Sequence, residues 1–600
     1  MIDLVIIDRL HSGVIKGQSL PRLISLRPLK KKEISLARKM GVRRFYLPSL
    51  TEAESAEFLR EFDTWWDQVI RPFDADHPFW RNVVSSKIQE WERSAAYLAL
   101  MLFTLSKKMT KKMQPIVIVC SSLEEEDLCE VWAKKMGWQV HRKPYLSLPH
   151  AIRRVLQEIV NLKTFLYMFA IFLYKKWFSP KHKPKAMLTN QQILIVSLFY
   201  KNCFKNGKYQ DHFFGTLHNS LRKNDVSVSY LCGPLGRFRE ATRKVENCSE
   251  VSIVIPYSII TWIELILLII KIGIRRFQFV RTKFCGVDFT KVIKWNTRRF
   301  EYFFNLDSEI YYTAVKRLCK NKQFDRLIQM YEGNVFERGC IQAFRSFSSG
   351  LIVGYSHAVV FPLNLKIRLS DNEKKHRPEP DVLVATGPES KHLMVTIGNR
   401  KPNTIYAACS LRYIPASDAK KMVHHVQSNI LVALDGVRAS VAILDWLFEH
   451  AEIIHDYKVT LRAHPDVPID ILLTQCLYDM PANFFLSDCD LKEDIERSFC
   501  VIYRQTSVGM QALMNGVPAI HLNIDLPLSG DPIMNLKASK WSVQTPEELL
   551  TALQEIHSLG EGKRDFMDIA KKYARDYFSA LDEKSITFFL TERDAVNSHL

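Results

Sequence analysis

Residues 457–465 read YKVTLRAHP and residues 499–522 read FCVIYRQTSVGMQALMNGVPAIHL, and these two stretches decide the fold. Each begins with an apolar run that predicts a buried strand ending at a polar turn. Pro465 ends the first strand, because proline continues neither a strand ladder nor a helix. The second stretch continues through a predicted helix over residues 510–515 into another strand. A strand, a turn, a helix and a strand make a βαβ unit, whose ligand site lies at the carboxyl ends of the strands.

Four polar side chains follow the ends of these strands: Arg462, His464, Thr506 and Ser507. Arg462 and His464 are two residues apart and share one face for as long as the strand persists. Thr506 and Ser507 offer hydroxyls and amides at the beginning of a helix, where the helix dipole favours an anion. A cation, an imidazole and a helix N-terminus at one point predict a phosphate site. The alternative is that the hydroxyls only cap the helix and that His464 is a core histidine.

The order Arg-x-His-Pro, Thr-Ser, helix and Gly-Val-Pro resembles the donor half of GT-B glycosyltransferases that build bacterial surface polysaccharides such as capsule and lipopolysaccharide O-antigen. It is similar in particular to the HP and Ser/Thr-Ser motifs of bacterial sialyltransferases and Kdo transferases. The resemblance covers residues 327–560 and implies that His464, Thr506 and Ser507 bind the phosphate of a CMP-sugar. Gln511 stands in the helix where many GT-B enzymes have a glutamate for the donor ribose.

Asp435 and Gly436 follow the predicted strand over residues 429–434. A glycine directly after the first strand of such a domain lets the backbone approach a ligand closely. The pair is also similar to the acid-Gly motif of some bacterial sialyltransferases. The predicted donor-nucleotide site therefore comprises Arg412, Asp435, Gly436, Arg462, His464, Pro465, Gln505, Thr506, Ser507 and Gly509.

Three residues are candidates for the catalytic chemistry. Glu332 lies in a Gly-Asn loop after a predicted strand, Glu337 opens the following helix, and His357 ends the next strand. These segments resemble the acceptor side of the same transferases, so the preferred general base is Glu332, followed by Glu337 and His357. First-turn helix acids are common, which is the alternative for Glu337. No metal and no obligatory cofactor is predicted, and the nucleotide-activated sugar is a co-substrate.

The formal net charge of +19 on 600 residues predicts an anionic partner. Zinc-finger spacing, a basic zipper and aromatic RNA-binding strands are all missing from the sequence, which argues against nucleic acid. The twelve cysteines form no Cys-x-x-Cys pair, as expected for a reducing cytoplasm. The first residues predict a strand rather than a signal peptide, because acids interrupt the apolar run.

The expected fold is α/β and GT-B-like, with two Rossmann-like doubly wound domains facing a cleft and an N-terminal α/β domain. The N-terminal domain spans 1–147, the acceptor-side domain 187–404, and the donor-binding domain with its C-terminal helices 405–600. Between them, residues 148–186 are predicted to form basic amphipathic helices that associate with a membrane or act as linkers. Residues 259–276 form a second apolar stretch followed by arginines. Both stretches fit a protein peripheral on the cytoplasmic side of an anionic inner membrane, and the alternative is a pair of buried interdomain helices.

The leading hypothesis is a glycosyltransferase that moves a sugar, with CMP-activated Kdo or sialic acid favoured, onto a surface glycan or a lipid-linked acceptor. Two alternatives remain open. One is a phosphotransferase of cell-surface polymer synthesis that uses a CDP-polyol. The other is a catalytically inactive GT-B-like assembly protein at the membrane.

Overall fold

The structure is a computed structural model of the chain. It describes residues 3–7, 22–26, 29–87, 94–109, 116–142, 148–180, 191–205, 208–248, 250–299, 302–412, 428–436, 440–465, 467–536, 539–559 and 563–590. Three parallel β-sheets with flanking helices account for most of these residues. Lys181, Lys183 and Lys185, which belong to the predicted basic segment, lie outside the described ranges.

The first sheet has the strand order β3-β2-β4-β1-β5, and all its pairings are parallel. Its strands are β1 (Asp3–Ile7), β2 (Arg22–Ser25), β3 (Arg43–Arg44), β4 (Ile116–Val119) and β5 (Gln139–Arg142). The helices are Lys31–Lys39, Glu52–Ile70, Ala95–Lys108 and Leu123–Lys135, with short 3-10 turns at Pro78–Arg81 and Val83–Ser86. Helix Glu52–Ile70 begins at a capping box between Thr51 and Glu54, which satisfies N–H groups of its first turn.

A single helix of 28 residues, His150–Trp177, connects the first sheet to the second. The second sheet has the order β10-β9-β6-β13-β14-β15-β16 and is parallel throughout. Its strands are β6 (Gln191–Phe199), β9 (Val226–Pro234), β10 (Ser252–Val254), β13 (Arg326–Met330), β14 (Leu351–Ser356), β15 (Val382–Ala385) and β16 (Ile405–Ala407). Two small antiparallel pairs join β7 (Phe204–Lys205) to β8 (Lys208–Tyr209) and β11 (Lys283–Phe284) to β12 (Val287–Asp288).

The second domain has the helices Leu217–Lys223, Phe238–Glu246, Pro256–Ile259, Trp262–Ile274, Tyr302–Asn321, Val335–Phe347, Glu373–His376 and Pro388–Thr396, with 3-10 turns at Lys201–Cys203 and Pro402–Thr404. Helix Thr290–Arg299 instead packs against helices Ala95–Lys108 and Leu123–Lys135 of the first domain. The central strands β13 and β14 are buried along their whole length, as expected for a parallel sheet covered on both sides.

The third sheet has the order β19-β18-β17-β20-β21-β22, which is the doubly wound arrangement of a Rossmann-like domain. Its strands are β17 (Asn429–Ala433), β18 (Lys458–Arg462), β19 (Phe484–Leu486), β20 (Cys500–Tyr503), β21 (Ala519–Leu522) and β22 (Trp541–Val543). The associated helices are Ser440–Glu449, Ile469–Leu473, Leu491–Glu496, Val508–Met514 and Pro546–Ser558, with a 3-10 turn at Ala451–Ile454. The predicted fold class is confirmed, because the second sheet repeats the same order with one additional edge strand.

The predicted boundary at residue 405 needs a correction. Strand β16 pairs in parallel with β15 and therefore closes the second sheet, so the second domain continues beyond residue 405. Helix Lys563–Tyr577 packs against Val508–Met514 of the third domain and Pro388–Thr396 of the second, and the last helix, Glu583–Leu590, packs against the second domain. The Tyr577 hydroxyl accepts a hydrogen bond from the Val360 N–H at 2.7 Å, and the Phe589 carbonyl accepts one from Arg326 at 3.0 Å.

The first domain contacts each of the other two domains through an ion pair. Arg44 contacts Asp445 of the third domain at 2.8 Å, and Lys87 contacts Glu373 of the second domain at 2.5 Å. Both partners of the Lys87–Glu373 pair are fully buried. Separating a buried pair leaves an uncompensated charge, so these contacts hold the first domain in a defined position against the other two.

Candidate functional site

The carboxyl ends of β17, β18 and β20 lie side by side in the third sheet. Ala433 of β17 is in register with Arg462 on one neighbour and with Tyr503 on the other. The loops that follow these strands therefore meet at one edge of the sheet. This is the edge at which open α/β sheets bind ligands.

Gly436 and His464 are in direct contact at this edge. A Cβ atom on Gly436 would lie 3.0 Å from both Cε1 and Nδ1 of the His464 ring. A side chain at position 436 would therefore push the imidazole away, so the glycine is needed for the ring to sit against the backbone. The structure brings together two residues that the sequence motifs placed twenty-eight positions apart.

Asp435 holds the loop after β20 in place through a buried ion pair. Its Oδ2 accepts hydrogen bonds from Arg504 Nε at 2.9 Å and Nη2 at 2.8 Å, and both side chains are at most 2% exposed. Its Oδ1 accepts from the Gln505 N–H at 3.2 Å. Both carboxylate oxygens of Asp435 are therefore bound by protein groups. Asp435 supports the predicted donor site indirectly, because it fixes the backbone at Gln505.

Replacing Asp435 by alanine is expected to destabilise the fold by about 3–5 kcal/mol, because the Arg504 guanidinium would remain buried without its counter-ion. The matched control is Asp479→Ala, which removes a partner from the exposed pair with Arg38 and should cost about 1 kcal/mol or less. Chemical unfolding of both variants measures the difference. Equal, small losses would show that Asp435 is free to serve a ligand instead.

Thr506, Ser507 and Gly509 follow β20 as predicted, at the beginning of the seven-residue helix Val508–Met514. The Thr506 hydroxyl accepts from the Val508 N–H at 3.4 Å, and the Gln511 amide donates to the Ser507 hydroxyl at 3.5 Å. Gly509 has a packing role, because a Cβ atom there would lie 2.7 Å from the Tyr503 ring. The hydroxyls therefore lie in the loop beside Gln505, and Gly509 serves the packing beneath them.

The Arg462 guanidinium is held by protein groups, and its convergence with His464 stays a prediction. Its guanidinium donates to the Asp494 carboxylate at 2.5 Å, to Ser487 at 3.2 Å and to the Cys489 carbonyl at 2.8 Å. The strand ends at Arg462 and the chain turns, so the strand alternation no longer relates residues 462 and 464. The role of Arg462 seen here is to hold the segment between β19 and the next helix. Pro465 is exposed beside His464.

The opposite wall of the site is built on the second sheet around Glu332 and His357. These residues follow the adjacent parallel strands β13 and β14. Glu332 Oε1 lies 2.9 Å from His357 Nε2, and its Oε2 lies 3.3 Å from Lys366 Nζ. Burial opposes ionisation, but Lys366, His357 and Asn334 together hold the pKa of Glu332 well below its usual range. Glu332 is therefore a carboxylate at neutral pH and a weak base.

Glu337 supports the Glu332 loop from inside the protein. Its buried carboxylate accepts hydrogen bonds from the N–H groups of Glu332, Gly333 and Asn334 at 2.9–3.2 Å. Burial and the charge of Glu332 raise the pKa of Glu337 to about 7, although the backbone donors oppose that shift. Gly333 has φ +80°, and a Cβ there would lie 2.6 Å from the Lys366 carbonyl. Glu337 thus shapes the loop from a position that is closed to solvent.

The two walls meet at a loop that the sequence reading did not single out. Asp211 is buried and accepts from the Phe213 and Phe214 N–H groups at 2.8 and 2.9 Å, which shapes the turn that carries His212. Burial, the charge of Arg412, and the charges that His357 and His464 carry when protonated lower the pKa of His212 to about 3. Since His357 belongs to the second sheet and His464 to the third, residues of both domains act on His212, which is neutral at pH 7.

Aromatic contacts fix the same loop. The Phe213 ring packs edge-on against His357 at a centroid distance of 4.5 Å, and the Arg412 guanidinium lies 5.8 Å from the centre of the Phe213 ring. The His212 loop could have been predicted as part of the site from its position after β6, the first strand of the second domain. Loops in that position line ligand sites in doubly wound folds. No sequence pattern indicates a site role for Lys366, because it lies in a segment without regular secondary structure.

The expectation that no metal is obligatory remains a prediction. Among the residues that the structure describes, no group of three or more His, Cys, Asp or Glu side chains is placed to hold a metal ion. The sequence contains Asp-x-Asp triplets at 74–76 and 488–490. Asp490 caps helix Leu491–Glu496 by accepting from the Glu493 N–H, and Asp74 and Asp76 lie in an exposed turn of the first domain.

No protein-family model matches the chain, and no curated protein sequence matches it. Solved structures that resemble it include the glycotransferase of kitacinnamycin, at 12% identity over 70% of this chain and 100% of that one, with a TM-score of 0.39. MurG of Acinetobacter baumannii is 15% identical over 68% of this chain and 99% of its own, with a TM-score of 0.36. UDP-GlcNAc 2-epimerase from Neisseria meningitidis, bound to UDP-GlcNAc, is 10% identical over 67% and 98%, with a TM-score of 0.39. These similarities are weak, and the strand orders of the second and third sheets remain the stronger evidence for the fold class.

Proposed function

We propose that the protein is a glycosyltransferase that moves a sugar from a nucleotide-activated donor to an acceptor hydroxyl in the cleft between the second and third domains. One observation carries this proposal. His357, which is paired with Glu332 on the second domain, and His464 of the third domain both act electrostatically on the same residue, His212. A base on one wall and cationic groups on the other match the needs of group transfer from a phosphate.

His357 is better suited than Glu332 to remove the proton from the acceptor. The Glu332 carboxylate accepts hydrogen bonds only, so the His357 nitrogen that faces it at 2.9 Å, Nε2, carries the proton. In the neutral imidazole, Nδ1 then keeps its lone pair. This nitrogen is buried and has no hydrogen-bond partner among the described residues. A substrate hydroxyl could supply the missing hydrogen bond. Glu332 positions the imidazole, and the base assignment moves from Glu332 to His357.

The donor wall supplies positive charge for the leaving phosphate. Arg412 and His464 both act on His212, and the Gly436 backbone lies against the His464 ring. A guanidinium and an imidazole stabilise the charge that develops on a departing phosphate oxygen. Arg412 lies on the segment that leaves β16, so the second domain also contributes to donor binding under this proposal.

The finer assignment is a CMP-sugar donor, with Kdo or sialic acid as the sugar, and a surface glycan or lipid-linked acceptor. Its support is that the His464-Pro465 motif follows β18 and Thr506-Ser507 follows β20, the two strands that flank β17 in one sheet. We expect CMP to bind more tightly than CDP, UDP or GDP in calorimetric titrations of the whole chain. CMP-activated Kdo or sialic acid should release CMP in the presence of a glycan acceptor.

Each result of this panel decides between the functions. If the protein bound CDP and turned over CDP-glycerol or CDP-ribitol, the proposed function would change from sugar transfer to transfer of a polyol phosphate. Tight binding of UDP or GDP alone would keep a glycosyltransferase and remove the CMP assignment. An absence of heat with all four nucleotides, together with no release of CMP, would leave an inactive assembly protein as the better account.

A further inference from the structure

Two helices carry matching stripes of exposed apolar side chains. On helix His150–Trp177 the stripe contains Val155, Ile159, Leu162 and Leu166, which are between 55% and 59% exposed. On helix Trp262–Ile274 it contains Ile263, Leu267, Ile270 and Ile274, which are between 51% and 71% exposed. Both stripes repeat the spacing four, three, four, so each forms one continuous helix face. We call the two stripes together the docking face.

The two helices lie side by side and run in opposite directions. A Cβ on Gly273 would meet the Phe165 ring at 3.4 Å, which brings the helices close at that point. The Trp177 and Trp262 rings lie 6.2 Å apart at the other end of the pair. Exposed apolar patches of this kind mark interaction sites, because a soluble surface gains nothing from displaying them.

The longer helix is long and apolar enough to cross a bilayer, but its contacts favour a position along a surface. At its amino end Arg153 pairs with Glu126 of the first domain at 2.5 Å. At its carboxyl end Lys176 donates to the Tyr257 carbonyl of the second domain at 2.9 Å, and Phe172 is fully buried. One side of the helix is thus fixed to the protein at both ends.

The position of Lys163 supports the same orientation. It is exposed and lies near the midpoint of the helix, four residues after Ile159 on the apolar stripe. A helix that crossed the bilayer would place this charge near the hydrocarbon centre, which is costly. A helix in the plane of the interface lets its amine reach the headgroups. Trp177 and Trp262 at the edge of the pair suit the same interfacial depth.

A basic cavity of about 680 Å³ adjoins the docking face. Leu267 belongs to both, and the lining also contains Lys271, Lys316, Arg317 and Lys320. Its two carboxylates are already bound, since Glu264 pairs with Arg317 at 2.6 Å and Glu309 with Arg81 at 2.9 Å. The three lysines therefore leave the cavity with a net positive charge next to an apolar surface.

We propose that the docking face lies in the plane of an anionic phospholipid bilayer and that the adjoining cavity receives phosphate headgroups. An apolar face bordered by lysines, on a chain of net charge +19, complements a negatively charged leaflet better than it complements a neutral partner. The proposal is independent of the donor site, because none of the residues involved belongs to the cleft.

Co-sedimentation of the full chain with vesicles tests this directly. One set of vesicles is phosphatidylcholine and the other is phosphatidylcholine mixed with phosphatidylglycerol. We expect binding to the anionic set, weakened by salt and released completely by alkaline carbonate. The variant with Leu162→Glu and Ile270→Glu should bind at least about tenfold more weakly. Its control, Ile471→Glu with Phe485→Glu, changes two similarly exposed apolar residues elsewhere and should bind normally.

The cavity is tested separately with Lys271→Gln and Lys320→Gln. This variant should lose about 10- to 30-fold in affinity for anionic vesicles, because each lysine contributes to attraction at a charged surface. The control is Lys458→Gln with Lys492→Gln, two exposed lysines of the third domain. Sedimentation with neither vesicle set, wild-type binding by both test variants, or resistance to alkaline carbonate would overturn the proposal. A dimer in light scattering that Leu162→Glu abolishes would overturn it as well, because a second copy would then cover the face.

Discussion

Replacing His357 by alanine will lower kcat by about 10²–10⁴-fold and leave the nucleotide affinity nearly unchanged, the loss expected for a positioned general base. The imidazole is 2% exposed, and its Nε2 is held at 2.9 Å from Glu332. Without the ring, the acceptor hydroxyl would have no group to take its proton. The nucleotide would still meet Arg412 and His464, both of which act on His212. Steady-state kinetics and calorimetry on the same preparation separate the two quantities.

Because His357 is buried, its replacement could lower activity by impairing folding. A second variant separates that effect from a loss of catalysis. Glu332→Gln keeps the shape of the side chain and removes the charge that orients the imidazole. It should lower kcat by at least about tenfold with the acceptor KM and the melting temperature nearly constant. If Glu332→Gln lost more activity than His357→Ala, the base would be Glu332 itself. If both variants turned over normally, the pair would have only a structural role.

Replacing His464 by alanine will weaken nucleotide binding by about 1.5–3 kcal/mol, the range for a hydrogen bond to a charged group. The ring lies against Gly436, and its charge acts on His212 at the junction of the two walls. Gly436→Ala should have an effect of the same sign, because the added Cβ would lie 3.0 Å from the ring and displace it. Calorimetric titration with the best nucleotide of the panel measures both.

The control for this prediction is His455→Ala, since His455 is 73% exposed in the same domain and lies away from the edge of the sheet that carries His464. It should bind nucleotide like the wild type. Wild-type affinity in His464→Ala would remove this histidine from the donor site and leave Arg412 as the remaining candidate. A weaker affinity in the control as well would point to a general loss of stability.

The four inner strands of the third sheet were predictable because they are apolar runs that end at polar turns. The short edge strands β19 and β22, and therefore the full strand order, were not predicted. The alternation in β18 and the fully apolar β20 both carry this signal. Strand β2 was missed, as it has only four residues and begins with an arginine. Strand β16 was assigned to the wrong domain, because a three-residue edge strand has the same pattern as a linker that crosses between domains.

The candidate site was less predictable, because its contacts join distant parts of the chain. Sequence placed Glu332 and His357 on one wall, but it could not show that a hydrogen bond joins them. The partner of Arg462 is Asp494, thirty-two residues later, and no local pattern indicates that pairing. His212 was not recognised, since its role depends on loops from two separate sheets. Packing between domains decides such contacts, and periodicity within one segment does not report it.

Hydrogen–deuterium exchange of the full chain, with and without saturating nucleotide, tests the central claim most directly. The claim is that one cleft binds the nucleotide on the third domain and presents His357 from the second. We expect slower exchange at residues 434–436, 463–465 and 505–509, because ligand contacts protect backbone amides there. The His212 loop should be protected at the same time, as it lies between the walls. Protection confined to other regions, or no protection with any nucleotide of the panel, would contradict the assignment of this cleft as the site of glycosyl transfer.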